Sequence, residues 1–83
     1  MITLNKAFST RVRAILKEKN MTQYQLEKRT GIYHSTMNAI MNGRCSASNF
    51  RTMALIIREL DMTIPEFFNN EIFADFNNLM VDE

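Results

Sequence analysis

The sequence is poor in the residues that build metal, disulfide and nucleotide sites. Its 83 residues include one cysteine, one histidine, one proline and two glycines. A single cysteine cannot form an intrachain disulfide, and one histidine with one cysteine cannot complete a zinc site. Two glycines do not make a phosphate-binding glycine loop, and no nucleophile and acid set accompanies the lone histidine. We therefore expect no metal, no cofactor and no enzymatic activity.

Long apolar runs are also missing. The sequence has no stretch of about 18 apolar residues, which a membrane-spanning helix needs, and it begins without the apolar segment of a signal peptide. Hydrophobic residues nevertheless make up 46% of the chain, with seven methionines and six phenylalanines. That composition suffices for one small core, in which the methionines fill gaps. We expect a single small domain, no membrane association and a cytoplasmic location.

Basic residues are absent from the last part of the chain. All ten lysines and arginines precede residue 59, where only Glu18 and Glu27 oppose them, so residues 1–58 carry a formal charge of +8. Residues 59–83 contain seven acidic residues. A charge run is often only a solvated surface. Here the positive part suits the phosphates of a nucleic acid, and the negative part would be repelled by them.

Helical spacing recurs along the chain, and no alternation typical of strands is present. A first helix is indicated by Leu4, Phe8, Val12, Ile15 and Leu16, with Asn20 as its left-handed C-cap. Ser48 or Asn49 caps a further helix, whose broad apolar face comprises Phe50, Met53, Ala54, Ile56, Ile57 and Leu60. Thr63 and Glu66 form the capping box of a short last helix that carries Phe67 and Phe68.

Residues 22–43 have the spacing of two short helices joined by a sharp turn. Thr22 and Gln25 form a capping box, so a helix begins at Gln23. Gly31 supplies the left-handed conformation that a turn needs. The next helix, over about 34–41, has an inner apolar side and a polar outer side, and Asn42-Gly43 ends it.

These elements, in this order, resemble the Cro/cI type of helix-turn-helix, also called the xenobiotic-response-element family. The resemblance covers about residues 8–68. Its motifs are Thr22-Gln23, Leu26, Gly31-Ile32, Ser35-Thr36, Ile40, Asn42-Gly43, Leu60-Asp61-Met62-Thr63 and Glu66-Phe67-Phe68. It implies an all-α fold, a five-helix lambda-repressor-like DNA-binding domain over 1–68. Residues 69–83 then form an acidic amphipathic extension, helical or extended.

Three positions depart from the family pattern. Glu27 replaces a small residue where two helices cross, so its carboxylate must point along the helix edge or the crossing must shift. Tyr33 replaces the usual serine cap, leaving His34 or Ser35 to cap the recognition helix. Leu16 and Met41 replace an arginine and glutamate pair, and this joint change to apolar residues favours the packing of those two helices.

The resemblance implies two sets of DNA contacts. The candidates for base edges are His34, Ser35, Thr36 and Asn38. The candidates for phosphates are Gln23, Tyr33, Asn42, Arg44 and Arg51. Two of these candidates also have a simpler interpretation. His34 fits an ordinary surface residue, and the ring of Tyr33 fits a cover for the edge of the core. Lys28 and Arg29 fit a solvated face as well as they fit DNA contact.

The extension repeats apolar residues at helical spacing, namely Ile72, Phe73, Phe76, Leu79 and Met80. They either cover the core of the domain or form a subunit interface. We expect a homodimer whose interface comprises Phe67, Phe68, Phe73, Phe76 and Leu79. The function expected is a sequence-specific regulator that binds double-stranded operator DNA, a repressor, with no small-molecule effector. The alternative is a protein-interaction module such as an antitoxin, whose DNA binding is autoregulatory or lost.

Overall fold

The computed structural model describes residues 2–44, 49–74 and 79–80. Five α-helices account for most of them: α1 (Leu4–Glu18), α2 (Gln23–Thr30), α3 (His34–Met41), α4 (Phe50–Glu59) and α5 (Ile64–Phe68). A 3-10 helix at Glu71–Phe73 follows, and two-residue strands lie at Ile2–Thr3 (β1) and Leu79–Met80 (β2). The all-α expectation is confirmed, with a small strand pairing that the sequence did not predict.

The helix boundaries follow the capping residues. Thr22 and Gln25 form a complete capping box at the start of α2, and Thr63 with Glu66 forms a second one at the start of α5. Asn49 caps α4, since its side chain accepts a hydrogen bond of 2.8 Å from the backbone N–H of Thr52. Between the two predicted caps of that helix, Asn49 is therefore the one the chain uses.

The turns also lie where the sequence places them. Gly31 follows α2 with a φ of 75°, in the left-handed region that glycine adopts without strain. The C-cap of α1 is Lys19, with a φ of −92°, and the left-handed residue Asn20, with a φ of 54°, follows it, one position later than the C-cap expected from the sequence. Gly43 has a φ of 73° and lies against α1: a Cβ atom there would approach the Cα atom of Lys6 to 3.3 Å. These turns fix how α2 and α3 sit on α1.

One hydrophobic core joins all five helices. Its buried members are Phe8, Val12, Ile15, Leu16, Leu26, Met37, Ile40, Met41, Ile56, Ile57, Leu60 and Phe67. Leu16 and Met41 are 6% and 2% exposed within this cluster. Both residues therefore belong to the core against which α1 and α3 pack, and the two helices contact each other.

An aromatic cluster closes the C-terminal side of the core. The ring of Phe67 lies 5.1 Å from Phe8 and 5.0 Å from Phe68, and Phe68 lies 4.9 Å from Phe73. Phe67 is completely buried, and Phe73 packs partly buried on the same core. Phe67 was thus wrongly placed among the exposed residues of a subunit interface, because it anchors the monomer's own core.

The C-terminal extension returns to the start of the chain. Strand β2 pairs in parallel with β1, with Ile2 opposite Leu79 and Thr3 opposite Met80. The interface candidate Phe76 lies outside the described residues, and Leu79 is described here by its backbone pairing alone. As far as it is described, the extension folds back onto its own domain, one of the two arrangements that the sequence left open.

Phe50 is a second departure from the expected core. It belongs to the apolar face predicted for α4, but its side chain is 72% exposed. Ile64, at the start of α5, is 44% exposed and lines the same shallow depression, together with the partly buried Phe68. The first turn of α4 extends beyond the core, so an apolar surface remains between α4 and α5.

Candidate nucleic-acid interface

Helix α3 has one buried and one exposed side. Met37, Ile40 and Met41 are buried in the core. The base-reading candidates His34, Ser35 and Asn38 are exposed, and Thr36 is partly so. The α3 bounds match the recognition helix predicted from the sequence, and its outward side presents an imidazole, hydroxyls and an amide.

The carboxylate of Glu27 joins the two helices of the motif. Its Oε2 atom accepts a hydrogen bond of 3.0 Å from Nε2 of Gln23, one turn earlier on α2. The same oxygen lies 2.8 Å from Nδ1 of His34 on α3. One oxygen atom of Glu27 thereby contacts both Gln23, a candidate for phosphate contact, and His34, a candidate for base contact. The carboxylate of Glu27 thus bridges α2 and α3.

The surroundings of Glu27 favour its ionised form. Desolvation is the largest single influence and raises the pKa of this carboxyl. The hydrogen bonds from Gln23 and His34 and the electrostatic attraction of His34 act the other way, and the net result is a pKa below the ordinary value. The side chain of Glu27 is only 10% exposed, whereas that of His34 is 75% exposed. The Glu27 carboxylate is therefore largely shielded from solvent, whereas the His34 imidazole is exposed to it.

Tyr33 takes the N-cap position of α3 without capping it by its side chain. Its side chain is 82% exposed, so it does not cover the edge of the core. The expected replacement cap is absent too: no side chain of the described residues caps α3, and His34 turns to Glu27 instead. Tyr33 therefore lies at the N-terminal end of α3 with its ring exposed to solvent.

The remaining phosphate candidates flank α3. Asn42 ends the helix and is exposed, and the backbone N–H of Arg44 donates to the carbonyl of Ala39 at 3.0 Å. Arg44 and Arg51 are both exposed. Arg51 lies in the first turn of α4, and within the described ranges no hydrogen bond or ion pair links it to α3. Gln23 and His34 are thus linked through Glu27, while Arg51 belongs to a neighbouring element.

Some of the basic residues serve the fold. Arg11 donates to the backbone carbonyls of Phe67 and Glu66 at 2.7 and 3.2 Å, and Arg13 donates to the carbonyl of Met41. Lys28 lies over the ring of Tyr24, 5.3 Å from its centre. The positive charge of residues 1–58 therefore includes two arginines that bind helix ends.

Sequence reasoning treated Glu27 only as a departure and missed its link to both DNA-contact candidates. The signal was the separation of four residues from Gln23, which places two side chains on one helix face. Across the described residues there is no cluster of acidic, histidine and cysteine side chains suited to a metal. No helix in residues 2–44, 49–74 or 79–80 is long and apolar enough to cross a membrane.

The family of Cro/C1-type HTH DNA-binding domains matches residues 11–71 of the chain. The match includes α2, the turn at Gly31 and α3. No curated protein and no solved structure is significantly similar to this chain.

Proposed function

Because this chain belongs to the Cro/C1-type helix-turn-helix DNA-binding family, we propose that it is a sequence-specific transcriptional repressor that places α3 in the major groove. The observation that carries this proposal is the two-sided character of α3. Its inner side is buried in the core, and its outer side consists of exposed groups that can hydrogen-bond to base edges. A repressor of this kind blocks transcription by occupying its operator.

The proposed roles follow from the atoms that each side chain offers. Asn38 is suited to a bidentate contact with adenine, and His34, Ser35 and Thr36 each offer a donor or an acceptor to a base edge. The phosphate contacts come from Gln23, Tyr33, Asn42, Arg44 and Arg51. These contacts set the register of the protein on the duplex, whereas the contacts of α3 select the sequence.

Selection of bound sites from random duplex DNA, at stated salt, tests this function. Enrichment of one palindromic sequence supports it. A dimer that makes about eight phosphate contacts should show log K falling with log salt at a slope of about −7. No binding to any duplex at low salt would disprove the proposal. Repression is then tested by placing the selected site over a reporter promoter and expressing the chain.

The proposed repressor acts as a homodimer, because two copies related by a two-fold axis read two half-sites about one helical turn, roughly 34 Å, apart. Phe67 is buried, but the described residues Phe50, Ile64 and Phe68 form an apolar surface between α4 and α5, the α4–α5 face. Burial of this face between subunits would remove exposed apolar area from water.

Sedimentation at tens of micromolar protein tests the dimer. Ile64→Arg and Phe50→Ser should shift the wild-type dimer to monomer, since each change places a polar group in the apolar face. Tyr24→Ser is the matched control, because Tyr24 is 63% exposed on α2 and belongs to a different surface. A monomeric wild type would contradict the dimer, and a dimer that survives both changes would place the interface elsewhere.

A further inference from the structure

The contact between Glu27 and His34 has a chemical consequence for the imidazole ring. Oε2 of Glu27 lies 2.8 Å from Nδ1 of His34. A carboxylate oxygen can only accept hydrogen bonds. Nδ1 must therefore carry a hydrogen atom for the contact to be a hydrogen bond, and Glu27 selects which of the two ring nitrogens is protonated.

The choice at Nδ1 decides what Nε2 can do. A neutral imidazole has one donor and one acceptor nitrogen, so a ring with its hydrogen on Nδ1 offers a lone pair at Nε2. A ring protonated at both nitrogens offers a donor there instead. The His34 side chain is 75% exposed, at the first position of α3, so Nε2 is accessible to a bound ligand.

We propose that Glu27 is a positioning residue that fixes the tautomer of His34 and so determines which base His34 selects. This inference rests on the proposed DNA-binding function. With the neutral ring, Nε2 accepts a hydrogen bond from the amino group of adenine or cytosine in the major groove. With its hydrogen on Nε2 instead, the ring donates to an acceptor such as O6 or N7 of guanine, N7 of adenine or O4 of thymine.

The second contact of Glu27 extends its effect to α2. Nε2 of Gln23 donates to the same oxygen at 3.0 Å, which fixes the amide orientation and leaves its carbonyl oxygen and second N–H for other partners. A residue that hydrogen-bonds to a DNA-contacting side chain fixes its orientation, as the groups that hydrogen-bond to metal ligands do in metal sites. The Glu27 carboxylate thereby aligns one residue from each helix of the motif.

Only one charged group near α3 is seen in contact with His34. Helix α3 contains no lysine, arginine, aspartate or glutamate; of the helices packed against it, α2 carries Glu27, Lys28 and Arg29, and α1 carries Lys6, Arg11, Arg13, Lys17 and Glu18. Lys28 is directed at the ring of Tyr24, and Glu27 makes the contact with the imidazole. Glu27 is thus the charged residue that the structure places in contact with the imidazole, which makes a single substitution informative.

Nitrogen-15 NMR of the imidazole in the DNA-free protein tests the tautomer directly. The wild type at pH 8 should show a protonated Nδ1 and an unprotonated Nε2, and Glu27→Gln should show a mixture of tautomers. A wild-type ring that is protonated at Nε2 alone, or identical spectra for the wild type and Glu27→Ala, would overturn the proposal. A purely structural role for Glu27 would leave the tautomer ratio unchanged.

Site selection from random duplexes at pH 8 tests the reading role. The wild type should prefer adenine or cytosine at one position of each half-site, by about fivefold in relative affinity. Glu27→Gln should lose this preference at pH 8. Glu59→Gln is the control, since it removes the same charge from a surface pair with Arg58 on α4.

The outcomes separate this inference from the function on which it rests. An unchanged base preference in Glu27→Gln, with sequence-specific binding intact, would overturn the role of Glu27 in selection and spare the proposed function. Absence of binding by every variant and by the wild type would overturn both, while the NMR measurement would still decide whether Glu27 fixes the tautomer.

Discussion

Arg13 of α1 donates two hydrogen bonds to the carbonyl oxygen of Met41, the last residue of α3, at 2.7 Å from Nη2 and 3.2 Å from Nε. The last carbonyl groups of a helix have no partner within it and carry partial negative charge. The guanidinium supplies both hydrogen bonds and positive charge at that point. The end of α3 is therefore held on α1 by hydrogen bonds from the Arg13 side chain to a main-chain carbonyl as well as by packing.

Arg13→Gln should lower the free energy of unfolding by about 1–2 kcal/mol, because it removes a charge-assisted contact to a helix end. Urea denaturation measures the change. Lys17→Gln, which removes the same charge from an exposed position of α1, should cost less than about 0.5 kcal/mol. Equal losses in the two variants would mean that the contact with Met41 contributes nothing specific.

The two glycines should respond differently to alanine. Both have positive φ values, 75° at Gly31 and 73° at Gly43, so each substitution costs about 1–2 kcal/mol of backbone strain. A Cβ atom on Gly31 would meet nothing within 4 Å, whereas one on Gly43 would lie 3.1 Å from Cδ and 3.3 Å from Cα of Lys6. Gly43→Ala should therefore lower the free energy of unfolding by roughly 1 kcal/mol more than Gly31→Ala does. Chemical denaturation of both variants decides this, and equal losses would refute it.

Asn38 and Arg44 should separate sequence reading from general affinity. Asn38→Ala should weaken binding to the selected site by about 1–3 kcal/mol and change binding to random DNA little. Arg44→Ala should weaken both alike, because phosphates are the same in every sequence. Fluorescence titration with the two duplexes measures the four affinities. If Asn38→Ala weakens binding to the selected site and to random DNA equally, Asn38 does not read a base.

The capping box at α5 should make stability depend on pH. Backbone and side-chain hydrogen bonds with Thr63 lower the pKa of Glu66, as does Lys19, against a smaller opposing effect of desolvation. A carboxyl with a lowered pKa in the folded state stabilises the protein above its unfolded pKa, and this contribution is lost as the pH falls through the folded value. Melting temperatures of the wild type and Glu66→Gln should thus differ most near pH 7 and converge near pH 3. A constant difference across this range would contradict the linkage.

The sequence predicted the helical framework because local chemistry determines it. Capping residues at Thr22 and Thr63, and left-handed positions at Asn20 and Gly31, act within a few residues of the chain. The helix boundaries at these residues could therefore be predicted without a structure. The bounds of α3 could be predicted for the same reason, since apolar periodicity marks its inner side.

What the sequence did not predict depends on contacts between distant residues. The burial of Phe67 requires the ring of Phe8 from α1, and the exposure of Phe50 depends on where α4 meets the core. The bridge through Glu27 requires α3 to pack against α2 so that His34 reaches the carboxylate. Periodicity identifies an apolar face, but the partners of each member of that face come from the packing of the whole domain.

The parallel pairing of β1 with β2 joins residues 2–3 to residues 79–80 across almost the entire chain. Closing so long a loop costs considerable chain entropy, and a ladder of two residues returns few hydrogen bonds for it. In hydrogen exchange, the amides of this ladder should open locally and exchange fast, whereas those of Ile56 and Leu60 should exchange only on global unfolding. We therefore expect β2 to separate from β1 more readily than the buried helices around α3 unfold.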